Sequence, residues 1–227
     1  MTSIIIFIVI AIASYMIQAS LKSKFERYSK EAIPGGMTGR DVALKMLHDN
    51  GIYDVSVVST RGLLTDYYDP TKKTVNLSEG VYASCSVAAA AVAAHECGHA
   101  VQHATKYSFL QLRSKLVPAV SFASQWVSWI ILAGILLLQV MPGILFAGII
   151  LFALTTLFSF ITLPVEIDAS RRALVWLNQT GITEGTSHEH ATDALKSAAY
   201  TYVIAALGSL ATLVYYVMIF LGSQRDE

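Results

Sequence analysis

Two histidines four residues apart with a glutamate after the first, His95, Glu96 and His99, have the types and spacing for metal-assisted hydrolysis. Neutral imidazoles are good zinc ligands, and an adjacent carboxylate can serve as general base toward a water that the metal activates. In a helix, positions four apart share a face and lie about 6 Å apart along the axis, within reach of one ion. With six His and eight Glu among 227 residues, H-E-x-x-H arises by chance roughly 0.006 times. The competing reading is a helix carrying two incidental histidines and a glutamate.

The element that must present these residues is the run Ser86 to His103, dominated by alanine and therefore helical. A catalytic zinc needs a third protein ligand and an open position. His103 continues the spacing, but His95 to His103 spans about 12 Å of helix axis, whereas zinc ligands sit ~2 Å from the ion. The extended H-E-x-x-H-x-x-G-x-x-H pattern also fails, because Thr105 occupies its last position. Glu166 is the better candidate: it ends a long apolar run, where an acidic residue needs a partner and zinc is a suitable one. Against this stands a helix-start carboxylate after Pro164, answered by Arg171 or Arg172. Asp168 can hold a ligand histidine by its other ring nitrogen. His190 and Tyr200 are candidates to stabilise an oxyanion. Cys97 points away from the metal and packs, and Gly98 permits close backbone approach. Cys85 and Cys97 give no disulfide framework.

The rest of the chain must hold that helix at a membrane. The composition is 54% hydrophobic and 14% charged, against about a quarter charged for a soluble domain. Lys+Arg and Asp+Glu balance at 16 each, so no strong field points to nucleic acid. Residues 4–21 are uncharged and followed by Lys22, Lys24, Arg27 and Lys30. That polarity predicts an uncleaved anchor rather than a signal peptide. Residues 116–165 contain no Asp, Glu, Lys, Arg or His, about 75 Å of helix and enough for two crossings. Residues 139–143 supply the turn, giving spans near 117–139 and 143–164. Ser121, Ser124, Gln125 and Ser128 form a stripe on the first, read as a helix-packing face. Residues 200–221 make a fourth span.

Between the anchor and the metal helix, residues 34–39 are turn-rich. An amphipathic helix with Val42, Leu44, Met46 and Leu47 then stops at Gly51. Residues 54–60, 63–68 and 73–77 are β-branched and aromatic, predicting a small antiparallel sheet or hairpin. Ser78 or Ser84 can cap the helices that follow. His188, Glu189, His190 and Asp193 are expected in a solvated loop. The fold class is therefore mainly α with a small β element (α+β), in a multi-pass membrane protein with about four transmembrane helices. Its segments are an anchor (1–21), a catalytic region (22–115), a transmembrane hairpin (116–165), a third-ligand helix and loop (166–199), and a last span with its tail (200–227). Twelve of the 16 Lys and Arg lie between 22 and 115 and three between 171 and 196, leaving Arg225 on the opposite side. Positive-inside bias then puts the metal helix on the cytoplasmic side.

Four stretches together, Leu64–Pro70, Val92–Gln102, Leu163–Ala173 and Ala198–Tyr202, resemble the YugP-like neutral zinc metallopeptidases of bacterial membranes. More distantly the chain is similar to the HtpX-type and CAAX-prenyl-type membrane proteases, which are gluzincins. The resemblance implies His95, His99 and Glu166 as ligands of Zn²⁺ and Glu96 as base, in an enzyme of the bacterial inner membrane. The distant relatives carry Asp four residues after the glutamate ligand, where this chain has Ser170, so the supporting role of that position falls to Asp168 here. An edge strand within residues 63–77 is implied to align an extended peptide.

These readings converge on a membrane zinc endopeptidase acting on proteins or peptides at the cytoplasmic face. The rivals are an intramembrane protease and a zinc-binding membrane scaffold or chaperone without proteolytic activity. The apolar run ahead of His95, residues 85–94, is too short to bury the site in a bilayer. The oligomeric state has no signature in the sequence.

Overall fold

The structure, a computed structural model, describes residues 2–63 and 65–223. Its elements in chain order are α1 (Thr2–Tyr28), a 3₁₀ turn (Pro34–Gly36), α2 (Gly39–Asp49), β1 (Ser56–Thr60), β2 (Tyr67–Asp69) and β3 (Thr74–Ser78). There follow α3 (Glu79–Tyr82), α4 (Val87–Ala104), α5 (Ser108–Leu136), α6 (Pro142–Gln179) and α7 (Gly185–Ser223). Among the described residues the molecule is mainly helical with one small sheet, and four helices are long and apolar enough to cross a membrane: α1 from Ile5, α5, α6 and α7. Leu64, within the strand expected at 63–68, and Arg225 with the end of the tail lie outside the described residues.

The described residues fall into two compact units. One is drawn from residues 2–16, 111–163 and 201–223, the other from residues 17–63, 65–110 and 164–200. In the first, helices approach through small residues. A Cβ on Gly134 of α5 would lie 2.5 Å from Leu145 Cα of α6, and one on Gly148 would lie 2.8 Å from Ile131 Cγ1. Lipid is as apolar as leucine, so such close contact rather than hydrophobicity brings spans together. Thr156 and Ser209 add a hydroxyl pair at 2.7 Å between α6 and α7. The packing face of α5 is Val120, Ala123, Val127, Ile131 and Gly134. Ser121, Ser124, Gln125 and Ser128 are exposed instead: at 3.6 residues per turn they fall on the neighbouring face, and the small and branched residues make the tighter contact.

In the second unit, the alanine surface of α4 accepts Val42, Ala43, Met46 and Leu47 of α2 at close range. Helix α2 opens with a reciprocal capping box between Thr38 and Asp41, and Gly51 leaves it at φ +71°. Helix α4 is capped by Ser86, whose side chain accepts from the Ala89 amide, while Ser84 donates to the Ser86 hydroxyl. The sheet order is β1-β3-β2. Strands β2 and β3 form the expected antiparallel hairpin, its turn held by Asp69 Oδ1 accepting from the Thr71 and Lys72 amides. Strand β1 instead pairs with β3 in parallel, since β1 and β2 flank β3 on opposite sides.

The helices outrun the apolar segments. Helix α1 continues to Tyr28, α5 starts at Ser108, α6 runs unbroken through Pro164, and α7 starts at Gly185. His188, His190 and Asp193 are therefore helical rather than in a loop. The last turns of α1 recruit two of them: Lys24 Nζ donates to Asp193 Oδ1 and Tyr28 Oη to Asp193 Oδ2, both at 2.7 Å. His190 meets Glu31 at 2.6 Å and stacks on the Tyr28 ring.

Candidate metal centre

The site is built where α4 crosses α6. Alanine at 88–91, 93 and 94 gives α4 a narrow, buried body. At Gly98, the absence of a side chain decides the distance: a Cβ there would lie 2.6 Å from the Ala169 carbonyl oxygen and 3.1 Å from Ala169 Cα. The two backbones therefore touch. Glu166, three residues before Ala169, sits about 4.5 Å along the α6 axis from that contact, opposite the histidine face of α4.

Three donor atoms meet there. Glu166 Oε2 lies 3.4 Å from His95 Nε2 and 3.5 Å from His99 Nε2, and all three fall within 4.8 Å of one another. Among the described residues this is the only trio of His, Cys, Asp or Glu so arranged. Ligand bonds of about 2.0–2.2 Å at a tetrahedral angle place neighbouring donors about 3.4 Å apart, so the two N···O separations fit one zinc ion. Two imidazoles and a carboxylate also form a donor set that zinc favours in catalytic sites.

The structure brings together His95, His99 and Glu166, with Glu96 on the same helix. The Glu96 side chain is buried, and burial pushes its carboxyl above the usual carboxylate range. His95 and His99 pull it back, while Glu166 and Asp66 push it further up. Glu166 is not at a helix start, since α6 passes through Pro164. Nor does Arg172 answer it: the Arg172 Nε donates to Asp168 Oδ2 at 2.6 Å, with its guanidinium over the Tyr107 ring.

The other ring nitrogens differ from expectation. His95 Nδ1 lies 3.0 Å from the Ser170 hydroxyl, so the position four after Glu166 supports a histidine although it is not an aspartate. His99 Nδ1 lies 3.0 Å from Gln102 Oε1. Asp168 contacts neither ring; its carboxylate accepts from Gln102 Nε2 at 2.9 Å. An aspartate two residues after Glu166 is turned about 200° away around the helix, whereas Ser170 returns to the same face. That periodicity was the available signal for Ser170; Gln102 at i+3 from His99 had the corresponding one on α4.

His103 stands apart from the cluster, its Nδ1 3.1 Å from the Tyr68 hydroxyl. Cys97 is buried, its Sγ 3.5 Å from the Ala43 carbonyl oxygen, and burial holds its thiol well above the usual range. It packs. His190 is tied to Glu31, and Tyr200 is exposed. Asp66, in the approach to β2, serves the sheet: its carboxylate accepts from the amide and hydroxyl of Ser78 at the end of β3.

A profile of the family described as "Putative neutral zinc metallopeptidase" matches residues 3–221. The chain is 45% identical over 214 residues to "Putative membrane protease YugP" of Bacillus subtilis (strain 168), covering 94% of each chain. No solved structure gives a significant match.

Proposed function

The chain belongs to the family of membrane proteins described as "Putative neutral zinc metallopeptidase", and from that premise we propose that it is a zinc-dependent endopeptidase cutting peptide bonds of protein substrates. The observation that carries the reading is the convergence of His95 Nε2, His99 Nε2 and Glu166 Oε2 beside the buried Glu96. These three residues would hold the ion. Zinc bound there supplies a Lewis acid that lowers the pKa of a water and polarises a carbonyl. Glu96 accepts the proton of the attacking water at its carboxylate and delivers it to the departing amine nitrogen. Ser170 and Gln102 hold the two imidazole rings by their Nδ1 atoms.

Strand β2 is an edge of the sheet and packs beside α4. It presents unpaired backbone groups to which an extended substrate adds as a further strand. The site works on the cytoplasmic side of the bacterial inner membrane, since the segment from 22 to 115 carries 12 of the 16 Lys and Arg. Single cysteines placed between 22 and 115 should resist an impermeant thiol reagent in whole cells; labelling from outside reverses the orientation. The activity itself is tested with purified protein and unfolded casein. Hydrolysis that a chelator stops and Zn²⁺ restores is the expected result. A zinc-loaded protein that cleaves nothing leaves the non-proteolytic scaffold reading in its place.

A further inference from the structure

Gln102 is fully buried, and both polar ends of its amide are engaged. Its Nε2 lies 2.7 Å from the Val165 carbonyl oxygen and 2.9 Å from Asp168 Oδ2, and its Oε1 lies 3.0 Å from His99 Nδ1. A carbonyl oxygen and a carboxylate only accept, so the NH₂ end of the amide must face them. The carbonyl end is thereby turned to His99. It has no proton to give, so the proton of that contact belongs to His99 Nδ1. Nε2, the atom 3.5 Å from Glu166 Oε2, is then the ring nitrogen left for a metal.

We propose that Gln102 is a positioning residue that locks His99 in the Nδ1–H tautomer required for metal binding through Nε2, and that the same side chain ties α4 to α6 at the residue before Glu166. The metal half of this inference rests on the zinc reading of the site. One amide therefore sets two things that a metal site needs at once: which nitrogen of His99 is free, and where the glutamate-bearing helix stands. Asp168 acts through it. Held by Arg172 at 2.6 Å, its carboxylate keeps the amide from flipping. An isolated imidazole populates both neutral tautomers, and only one can bind through Nε2.

The test compares full-length wild type, Gln102→Met and Gln102→Glu in detergent micelles. Methionine keeps the length and loses every hydrogen bond; glutamate keeps an acceptor for His99 and loses both donors. ¹⁵N-histidine NMR of the metal-free protein, with His99 assigned by its absence in His99→Gln, reads the tautomer. Competition with a chromophoric chelator reads zinc affinity. Wild type is expected to carry the His99 proton on Nδ1. Gln102→Met is expected to mix the tautomers and bind zinc about 10- to 100-fold more weakly, with its helical circular dichroism unchanged. Gln102→Glu should retain the Nδ1–H signal while melting at a lower temperature than wild type. A wild-type ring without a proton on Nδ1, or a Gln102→Met protein with wild-type tautomer and zinc affinity, overturns the proposal. Should Gln102→Met fail to fold, the wild-type tautomer and the Gln102→Glu spectrum decide. A wild type that binds no zinc defeats the peptidase reading instead, and the metal-free spectra still decide the role of Gln102.

Discussion

The Nδ1 atom of His95 and the hydroxyl of Ser170 meet at 3.0 Å, across the crossing of the two helices that carry the candidate ligands. Ser170 lies four residues after Glu166, so the turn of α6 that offers the carboxylate also offers an acceptor for the ring it faces. Removing that acceptor frees the His95 ring to rotate and to move its proton. Ser170→Ala is expected to weaken zinc binding about tenfold, and Ser170→Asp to restore it with a charged acceptor. Chelator competition on the purified variants measures both, and an alanine variant with wild-type affinity would make this contact incidental.

Gly98 sets how closely α4 and α6 approach. The added methyl of Gly98→Ala meets the Ala169 carbonyl at 2.6 Å, an encounter with backbone that no rotamer change relieves. Forced separation of packed elements costs about 1–3 kcal/mol, against about 1 kcal/mol gained from alanine's better helix propensity. The expected variant has a lowered melting temperature and little bound zinc, because Glu166 is displaced with α6. Metal analysis after dialysis is the deciding measurement. Stoichiometric zinc would show that the crossing tolerates the shift.

How much of this was legible before the fold was known depends on how local each signal is. His95, Glu96 and His99 are fixed by one helix period, and an alanine-rich run announces that helix. Glu166 was legible because a carboxylate closing fifty uncharged residues has few ways to be satisfied. Ser170 and Gln102 share the ligands' helical spacing, but a neutral polar side chain does not show which group it bonds until the Gly98–Ala169 contact brings α4 and α6 together. The parallel pairing of β1 with β3 was hidden for the same reason: strand partners are chosen by non-local packing. Helix ends were not legible from the apolar runs, because charges at 22–30 and 185–199 mark the limits of a span. They limit only the apolar part; the helices continue with polar faces that pair with each other, as Lys24 does with Asp193.

The capping box of α2 gives the stability of the second unit an acid limb. The Thr38 hydroxyl and amide that bond Asp41 hold its carboxyl below the usual carboxylate range. A carboxyl whose folded pKa is depressed contributes stability that is complete above its unfolded value, about 3.9, and is lost as pH falls through the lower folded value. Asp41→Asn removes the charge and with it that dependence. Thermal melts at neutral pH should show the variant less stable than wild type, with the gap narrowing below about pH 4. A gap independent of pH would mean that the charge of Asp41 adds nothing to the cap.

On the zinc-peptidase reading, Glu96 separates holding the metal from using it. It is adjacent in sequence to His95, yet the three converging donor atoms belong to His95, His99 and Glu166. A glutamine side chain in the same buried place would have nearly the same volume but could not take a proton from water. Glu96→Gln should therefore bind zinc as wild type does while losing about 10²- to 10⁴-fold in peptide hydrolysis, the range a positioned general base supplies. Glu166→Gln should instead lose zinc and activity together, because an amide oxygen is a poorer partner for a divalent ion than a carboxylate. Metal content and casein hydrolysis measured on the same preparations distinguish the two outcomes. Undiminished cleavage by Glu96→Gln would place the proton transfer on another residue, and zinc retained at wild-type affinity by Glu166→Gln would remove Glu166 from the ligand set.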